Sequence, residues 1–241
     1  PPPIVTRENY PTGNLDPATN ADVFEQRQTP AVFGLGLIES IPDAVILANE
    51  DPFDANRDGI FGVARALTIQ GQPEVGRFGW KAQVPRVKDF VRDAMGGEIG
   101  ITTPDDGRGF AFLTDADGIS DPELTELEVE KVAFFMANLA PPKRTNENTA
   151  TVLEGELLFS ALRCDRCHVP SLEGSGGPVP LYSDLLLHDV MGQAFRGMSE
   201  PGAGVGMYRT TPLWGVSHTA PFLHDGRAAN LDQAIIMHRS E

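Results

Sequence analysis

The only two cysteines of the chain lie in one pentapeptide, Cys164-Asp165-Arg166-Cys167-His168. Two thiols separated by two residues can each reach one vinyl group of a haem and form a thioether bond, and the histidine that follows can then coordinate the iron. A CxxC pair also serves as a redox dithiol or as half of a zinc site, but no second cysteine pair completes a zinc site here. The pentapeptide therefore predicts covalent attachment of one haem c, with a redox dithiol as the alternative.

A haem iron held by His168 has a second face that another residue can occupy. All five histidines lie at or after residue 168, so no histidine upstream could ligate a further haem. His238 lies on the apolar face of a predicted terminal helix, where it is either a ligand or a packed side chain. The chain is thus predicted to carry a single haem whose second ligand is a histidine, a methionine, water or nothing. The methionine candidates are Met191, Met198, Met207 and Met237.

Arg209 and Arg227 are candidates for binding the haem propionates. A desolvated carboxylate is best satisfied by a fork-shaped cation, and arginine provides one. The alternative for each is an ordinary surface arginine. Arg227 also belongs to His224-Asp225-Gly226-Arg227, which by itself predicts a turn with a charged pair.

The segment from Asp54 to Ile60 matches the first half of a calcium-binding loop. Asp54, Asn56 and Asp58 would supply oxygen ligands at the first, third and fifth positions, and a glycine follows at the sixth. The twelfth position is Arg65 instead of glutamate, which excludes a standard EF-hand. A bound calcium ion is one hypothesis, and a turn rich in Asx residues is the default.

Charge and composition exclude several classes of partner. The net charge of −15 argues against nucleic acid and anionic membrane surfaces. Residues 1–142 carry −12 of this charge and residues 143–241 carry −3. No apolar run approaches the roughly 20 residues that span a bilayer. Because the chain begins with three prolines and no methionine, we expect a processed protein or a fragment.

Periodicity and capping signals predict a set of helices separated by loops. An extended arm is expected over residues 1–30, and Pro141-Pro142 marks a candidate boundary between residues 1–142 and 143–241. Gly155 and Phe159 lie four residues apart on the predicted helix before CxxCH. In c-type cytochromes such a pair of a small and an aromatic residue often lets this helix cross the C-terminal helix closely. The predicted helices cover residues 43–49, 87–95, 121–139, 149–162, 181–190 and 231–238.

Several segments together resemble the bacterial di-haem oxidoreductases, a family of peroxidase-like proteins also called thiol oxidoreductases. The family is related to the di-haem cytochrome c peroxidases and to MauG. The segments occur in family order, and they are more specific together than singly. They are residues 33–43, 76–82, 182–189, 209–215, 223–228 and 231–238.

The resemblance implies a mainly α, loop-rich fold in the bacterial periplasm. Residues 143–241 would form a cytochrome c-like haem domain, and residues 1–142 the remainder of a second cytochrome c-like domain. Family members carry a first CxxCH in the N-terminal domain, and this chain has none. We therefore expect a fragment, with true loss of the first haem as the alternative.

The resemblance also assigns roles to individual residues. In the relatives a tryptophan lies between the two haems, and Trp80 falls in the segment that resembles that region, so it is a candidate electron relay. The alternative for Trp80 is core packing. The relatives take the sixth ligand from the helix after the HDG turn, seven residues beyond its leucine. Counting from Leu231 gives His238, which implies bis-histidine ligation, with Met237 as the adjacent alternative.

The favoured hypothesis is a periplasmic electron-transfer module of a di-haem oxidoreductase, with one covalent haem c. One alternative is a peroxidase-type enzyme that acts on peroxide or another small substrate at this haem. Another is a haem-containing structural subunit of a larger redox complex. The expected partner is a small cytochrome, a cupredoxin-like protein or a larger respiratory complex. No catalytic residue is assigned.

Overall fold

The computed structural model describes residues 3–5, 24–192 and 197–238, so most of the predicted N-terminal arm lies outside the described residues. These residues form α1 (Leu35–Glu39), α2 (Asp43–Leu47), α3 (Val87–Ala94), α4 (Glu126–Ala137), α5 (Ala150–Ala161) and α6 (Leu231–Met237). A π-helical turn (Met95–Ile99) extends α3. Within the described ranges, no helix combines the length and the apolarity that crossing a bilayer requires.

In the described part of the chain, eight short strands pair into four antiparallel, two-stranded sheets. The first sheet joins residues far apart in sequence, and the next two are hairpins. In the last sheet Leu187 pairs with Arg209 and His188 with Tyr208. The strands are β1 (Pro3–Val5), β2 (Phe24–Gln26), β3 (Arg65–Ile69), β4 (Gln72–Gly76), β5 (Leu172–Gly174), β6 (Gly177–Val179), β7 (Leu187–His188) and β8 (Tyr208–Arg209).

The prediction of a mainly α fold built from cytochrome c-like domains is wrong. Helix accounts for 29% of the structure and strand for 14%, and the six helices are short. The 25 glycines and 20 prolines explain this, because they stop helices after a few turns and favour loops and hairpins. The close helix crossing expected at Gly155 is also not formed, since a Cβ there would meet no atom within 4 Å.

Four helices agree with the predicted bounds to within two residues, whereas α1 was not predicted and two other predicted helices differ. The helix expected from Asp121 begins at Glu126, because Thr125 is its N-cap and forms a capping box with Glu128. The helix expected over 181–190 is not formed. Tyr182 and Leu185 have positive φ angles of 53° and 63°, which no right-handed helix accommodates.

The capping box predicts a measurable stability difference. Thr125→Ala removes the hydroxyl that accepts the backbone N–H of Glu128 but keeps the bond from its own backbone N–H to the Glu128 carboxylate. We expect the free energy of unfolding to fall by about 1 kcal/mol. Thr149 caps α5 without a side-chain bond to that helix and provides the matched control, Thr149→Ala. Urea unfolding of the two variants checks this, and equal losses would contradict the assigned cap.

The main hydrophobic core includes side chains from both sides of residue 142. Ile41 and Phe78 pack in the same buried cluster as Leu181 and Leu185. The domain boundary at residue 142 stays a prediction, and the structure adds that the two segments share this core.

Gly34 is a point of close approach between the two segments. Its φ is +75°, and a Cβ at this position would lie 2.1 Å from the ring of Trp214. Only glycine combines this backbone conformation with the absence of a side chain. The start of α1 is thereby fixed against the segment that follows β8.

Candidate functional site

The CxxCH segment follows α5 directly and forms a tight turn. A 3₁₀ helix covers Cys164–Arg166, and the backbone N–H of His168 donates to the carbonyl of Cys164 at 2.9 Å. Both cysteines are free thiols and half-buried. Burial raises the pKa of Cys164, and the carboxylate of Asp165 raises it further. A redox-active dithiol needs a lowered thiol pKa, so this environment disfavours the dithiol alternative.

The imidazole of His168 is held in one tautomer. Its Nδ1 lies 2.9 Å from the carbonyl oxygen of Tyr182, which can only accept a hydrogen bond. Burial lowers the pKa of His168, and the nearby imidazole of His238 lowers it further. His168 is therefore neutral at pH 7, carries its proton on Nδ1, and keeps the lone pair of Nε2 for a metal.

His238 shows the same arrangement at the end of α6. Its Nδ1 lies 2.7 Å from the carbonyl oxygen of Ala234, one helical turn earlier. That acceptor again places a proton on Nδ1 and the lone pair on Nε2. Because His238 contributes to the pKa of His168, the two imidazoles are close enough to interact electrostatically. The structure thus places the two imidazoles within electrostatic range of each other, and neither Nε2 atom is hydrogen-bonded to the described residues.

Exposed apolar side chains lie on the two helices next to these histidines. None of the 12 residues of α5 is buried, and Leu157 and Leu162 are 74% and 72% exposed. On α6, Ile235 and Ile236 are exposed as well. An isolated exposed leucine needs no explanation, but a set of them on the two helices next to the candidate ligands indicates a large apolar ligand. The ring of Phe159 lies beside that of His168, with 6.4 Å between centroids.

The chain can now be compared with known proteins. A family model described as "Di-haem oxidoreductase, putative peroxidase" matches residues 18–241, almost the whole chain. The chain belongs to the di-haem oxidoreductase family. No curated protein and no solved structure matches it significantly. The family name states two haems, whereas the two cysteines of this chain supply one attachment motif.

The two arginines predicted as propionate partners, Arg209 and Arg227, differ in their burial and in their ion pairing. Arg209 is buried, and its guanidinium donates to the carbonyls of Gly79 and Thr210 at 3.0 and 3.2 Å. Burial lowers its pKa to about 10. Arg209 makes no ion pair within the described ranges, so it is a buried cation suited to an anionic group. Arg227 is exposed and already pairs with Asp225.

Sequence reasoning missed a buried Asp–His pair that contacts Cys167. The Nε2 of His188 lies 2.8 Å from Oδ2 of Asp184, and its Nδ1 lies 3.6 Å from Sγ of Cys167. Cys167, Asp184 and His188 are close enough to hold a metal ion. However, Oδ1 of Asp184 already accepts the N–H of Leu186, so both carboxylate oxygens are engaged. The i, i+4 spacing of Asp184 and His188 was the available sequence signal.

The candidate calcium ligands act as turn acceptors. Asp54 Oδ1 accepts the backbone N–H groups of Asp58 and Gly59 at 2.7 and 3.1 Å, and Asn56 Oδ1 accepts that of Asp58 at 2.9 Å. Asp58 also forms an ion pair with Arg163, the residue before Cys164. This geometry is that of the Asx-rich turn and ties the loop to the CxxCH segment, while calcium binding stays a prediction.

Trp80 is half-buried, and its Nε1 donates to the carbonyl of Gln28 at 2.6 Å. The carbonyl of Trp80 accepts the N–H of Arg209 at 2.7 Å, which places the predicted relay beside the predicted propionate partner.

Two of the methionines that were candidate haem ligands differ in their surroundings. Met207 packs against a small buried cluster that includes Leu187, and Met237 is half-buried next to His238.

Proposed function

We propose that this chain is the electron-transfer part of a di-haem oxidoreductase and carries one haem c bound through Cys164 and Cys167. The iron would lie between His168 and His238. The observation that carries the proposal is the matched geometry of the two histidines, each with Nδ1 on a backbone carbonyl and Nε2 free for a metal.

The residues of this chain fit such a group in three further respects. The exposed apolar side chains of α5 and α6 would cover the macrocycle. The buried guanidinium of Arg209 would balance a propionate. The carbonyls of Tyr182 and Ala234 would fix the tautomer and the orientation of both imidazoles, with Nε2 available to the iron. When bound, the haem supplies reversible one-electron chemistry at its iron, and two imidazole ligands give a lower potential than histidine with methionine.

The same arrangement favours electron transfer over catalysis at this haem. If His168 and His238 both bound the iron, peroxide would find no open position there. Trp80 would relay electrons between this haem and a second haem supplied outside this chain. We further propose export to the periplasm, because thioether attachment of haem suits an exported protein. We propose a small cytochrome, a cupredoxin-like protein or a respiratory complex as redox partner, because the acidic net charge suits docking of a basic surface.

Absorption spectra of the protein produced together with a bacterial haem-attachment system test this proposal. We expect a low-spin, six-coordinate haem in both oxidation states, fully reversible reduction, and no spectral response to cyanide or peroxide. A high-spin ferric spectrum that responds to either ligand would instead support a peroxidase-type enzyme at this haem.

A further inference from the structure

An aromatic cluster lies between Trp80 and strand β8. The rings of Tyr208 and His224 stack with 3.8 Å between centroids and 14° between planes. The indole of Trp80 meets the His224 ring edge-on at 6.4 Å. Tyr208 and His224 are buried. The three rings form a continuous packed series in which neighbouring π systems are in contact or nearly so.

The same cluster is connected to the haem-attachment segment. His188 is the cross-strand partner of Tyr208 in the sheet of β7 and β8. Directly opposite residues of an antiparallel pair project on the same face and are immediate neighbours. Since His188 also lies 3.6 Å from Sγ of Cys167, a series of packed groups runs from Cys167 through His188, Tyr208 and His224 to Trp80.

Tyr208 is the member of this series with a built-in proton acceptor. Its hydroxyl donates to Oε1 of Glu25 at 3.0 Å, and Glu25 is 4% exposed. Burial alone would raise the pKa of Glu25, but hydrogen bonds from Arg27 and from the backbone N–H of Met198 lower it overall. The carboxylate is therefore ionised at pH 7 and able to accept the phenolic proton. A tyrosine must lose this proton when it is oxidised, and the acceptor is already in place.

We propose that Tyr208 is a redox-active relay residue between Trp80 and the haem, with Glu25 as its proton acceptor. The inference rests on the proposed function in taking the haem as the final electron donor. A one-electron oxidant derived from peroxide first removes an electron from Trp80. Tyr208 then gives one electron to the Trp80 radical and its proton to Glu25, which leaves a neutral phenoxyl radical and a protonated carboxyl. One electron from the reduced haem iron and the proton from Glu25 restore Tyr208.

The charges around Tyr208 couple the loss of its electron to the loss of its proton. The ammonium of Lys81 lies 4.4 Å from the centre of the Tyr208 ring. A nearby cation disfavours a positively charged ring, whereas the neutral phenoxyl radical carries no such charge. Oxidation of Tyr208 is therefore expected to need the transfer of the phenolic proton to Glu25.

Pulse radiolysis with azide radicals tests the first step in the haem-free chain. Azide radicals oxidise tryptophan rapidly, and the conversion of the indole radical to a phenoxyl radical can be followed by absorption. We expect a concentration-independent conversion that is lost in Tyr208→Phe and in Trp80→Phe but persists in the control Tyr182→Phe. Glu25→Gln keeps the shape but removes the base, and it should slow the conversion about a hundredfold.

Unchanged conversion in folded Tyr208→Phe would overturn the relay, and an unchanged rate in Glu25→Gln would overturn the proton acceptor. The chain has a second tryptophan, Trp214. Should Tyr208→Phe fail to fold, a conversion that persists in Trp80→Phe and is lost in Trp214→Phe overturns the relay equally. In the haem-loaded chain, the phenoxyl radical should decay as the ferrous haem is oxidised. Because the first step needs no haem, failure of haem attachment would contradict the proposed function and leave this test intact.

Discussion

His238→Ala should convert most of the haem from low-spin, six-coordinate to high-spin. The variant removes the imidazole whose Nε2 the Ala234 carbonyl keeps available for the iron. Water or an empty position then replaces a strong-field ligand, so the iron should also acquire the ability to bind cyanide. Absorption and electron paramagnetic resonance spectra of the ferric protein measure both changes.

Met237→Ala is the matched control, because Met237 is the adjacent residue and the alternative ligand. It should leave the spin state and the cyanide response as in the wild type. A high-spin spectrum in Met237→Ala, together with an unchanged one in His238→Ala, would reverse the assignment and raise the expected potential of the haem.

Arg108→Met should destabilise the protein by about 3–5 kcal/mol, the range for a buried ion pair that loses one partner. The carboxylate of Asp89 is 1% exposed and receives a bidentate pair of bonds from Arg108, at 2.8 and 2.7 Å. No other cation in the described part of the chain lies within ion-pair distance of it. The variant would leave a buried negative charge uncompensated. Chemical denaturation at pH 7 measures the loss.

Arg86→Met is the control. Arg86 and Arg108 both form an ion pair with Glu74, but the side chain of Arg86 is 54% exposed. An exposed pair contributes about 0–1 kcal/mol. Equal stability losses in the two variants would show that burial of Asp89 does not determine the cost.

The sequence predicts the parts of this molecule that depend on local spacing. The thiol and histidine spacing of 164–168, the helix that ends at Met237 and the position of His238 on it all follow from residues within a few turns of one another. The capping box also has a local signature, a threonine followed three residues later by a glutamate, at Thr125 and Glu128. It lies four residues after Asp121, where the helix was expected to begin.

Long-range contacts account for what the sequence does not predict. β7 contains two residues, and it exists because Tyr208 and Arg209 lie opposite it, 20 or more residues later. Arg209 and Arg227 look alike in the sequence, yet tertiary packing buries one and leaves the other paired with Asp225. The contact of His188 with Cys167 likewise depends on how the loop of 169–186 folds back on the CxxCH segment.

The mass of the purified protein tests the central claim most directly. After production with a haem-attachment system, the intact chain should carry the added mass of one haem, and a proteolytic peptide that contains Cys164 and Cys167 should retain it. The variant with both cysteines changed to alanine should have the mass of the bare polypeptide. A wild-type chain without added haem mass, or with a disulfide between Cys164 and Cys167 instead, would contradict the account.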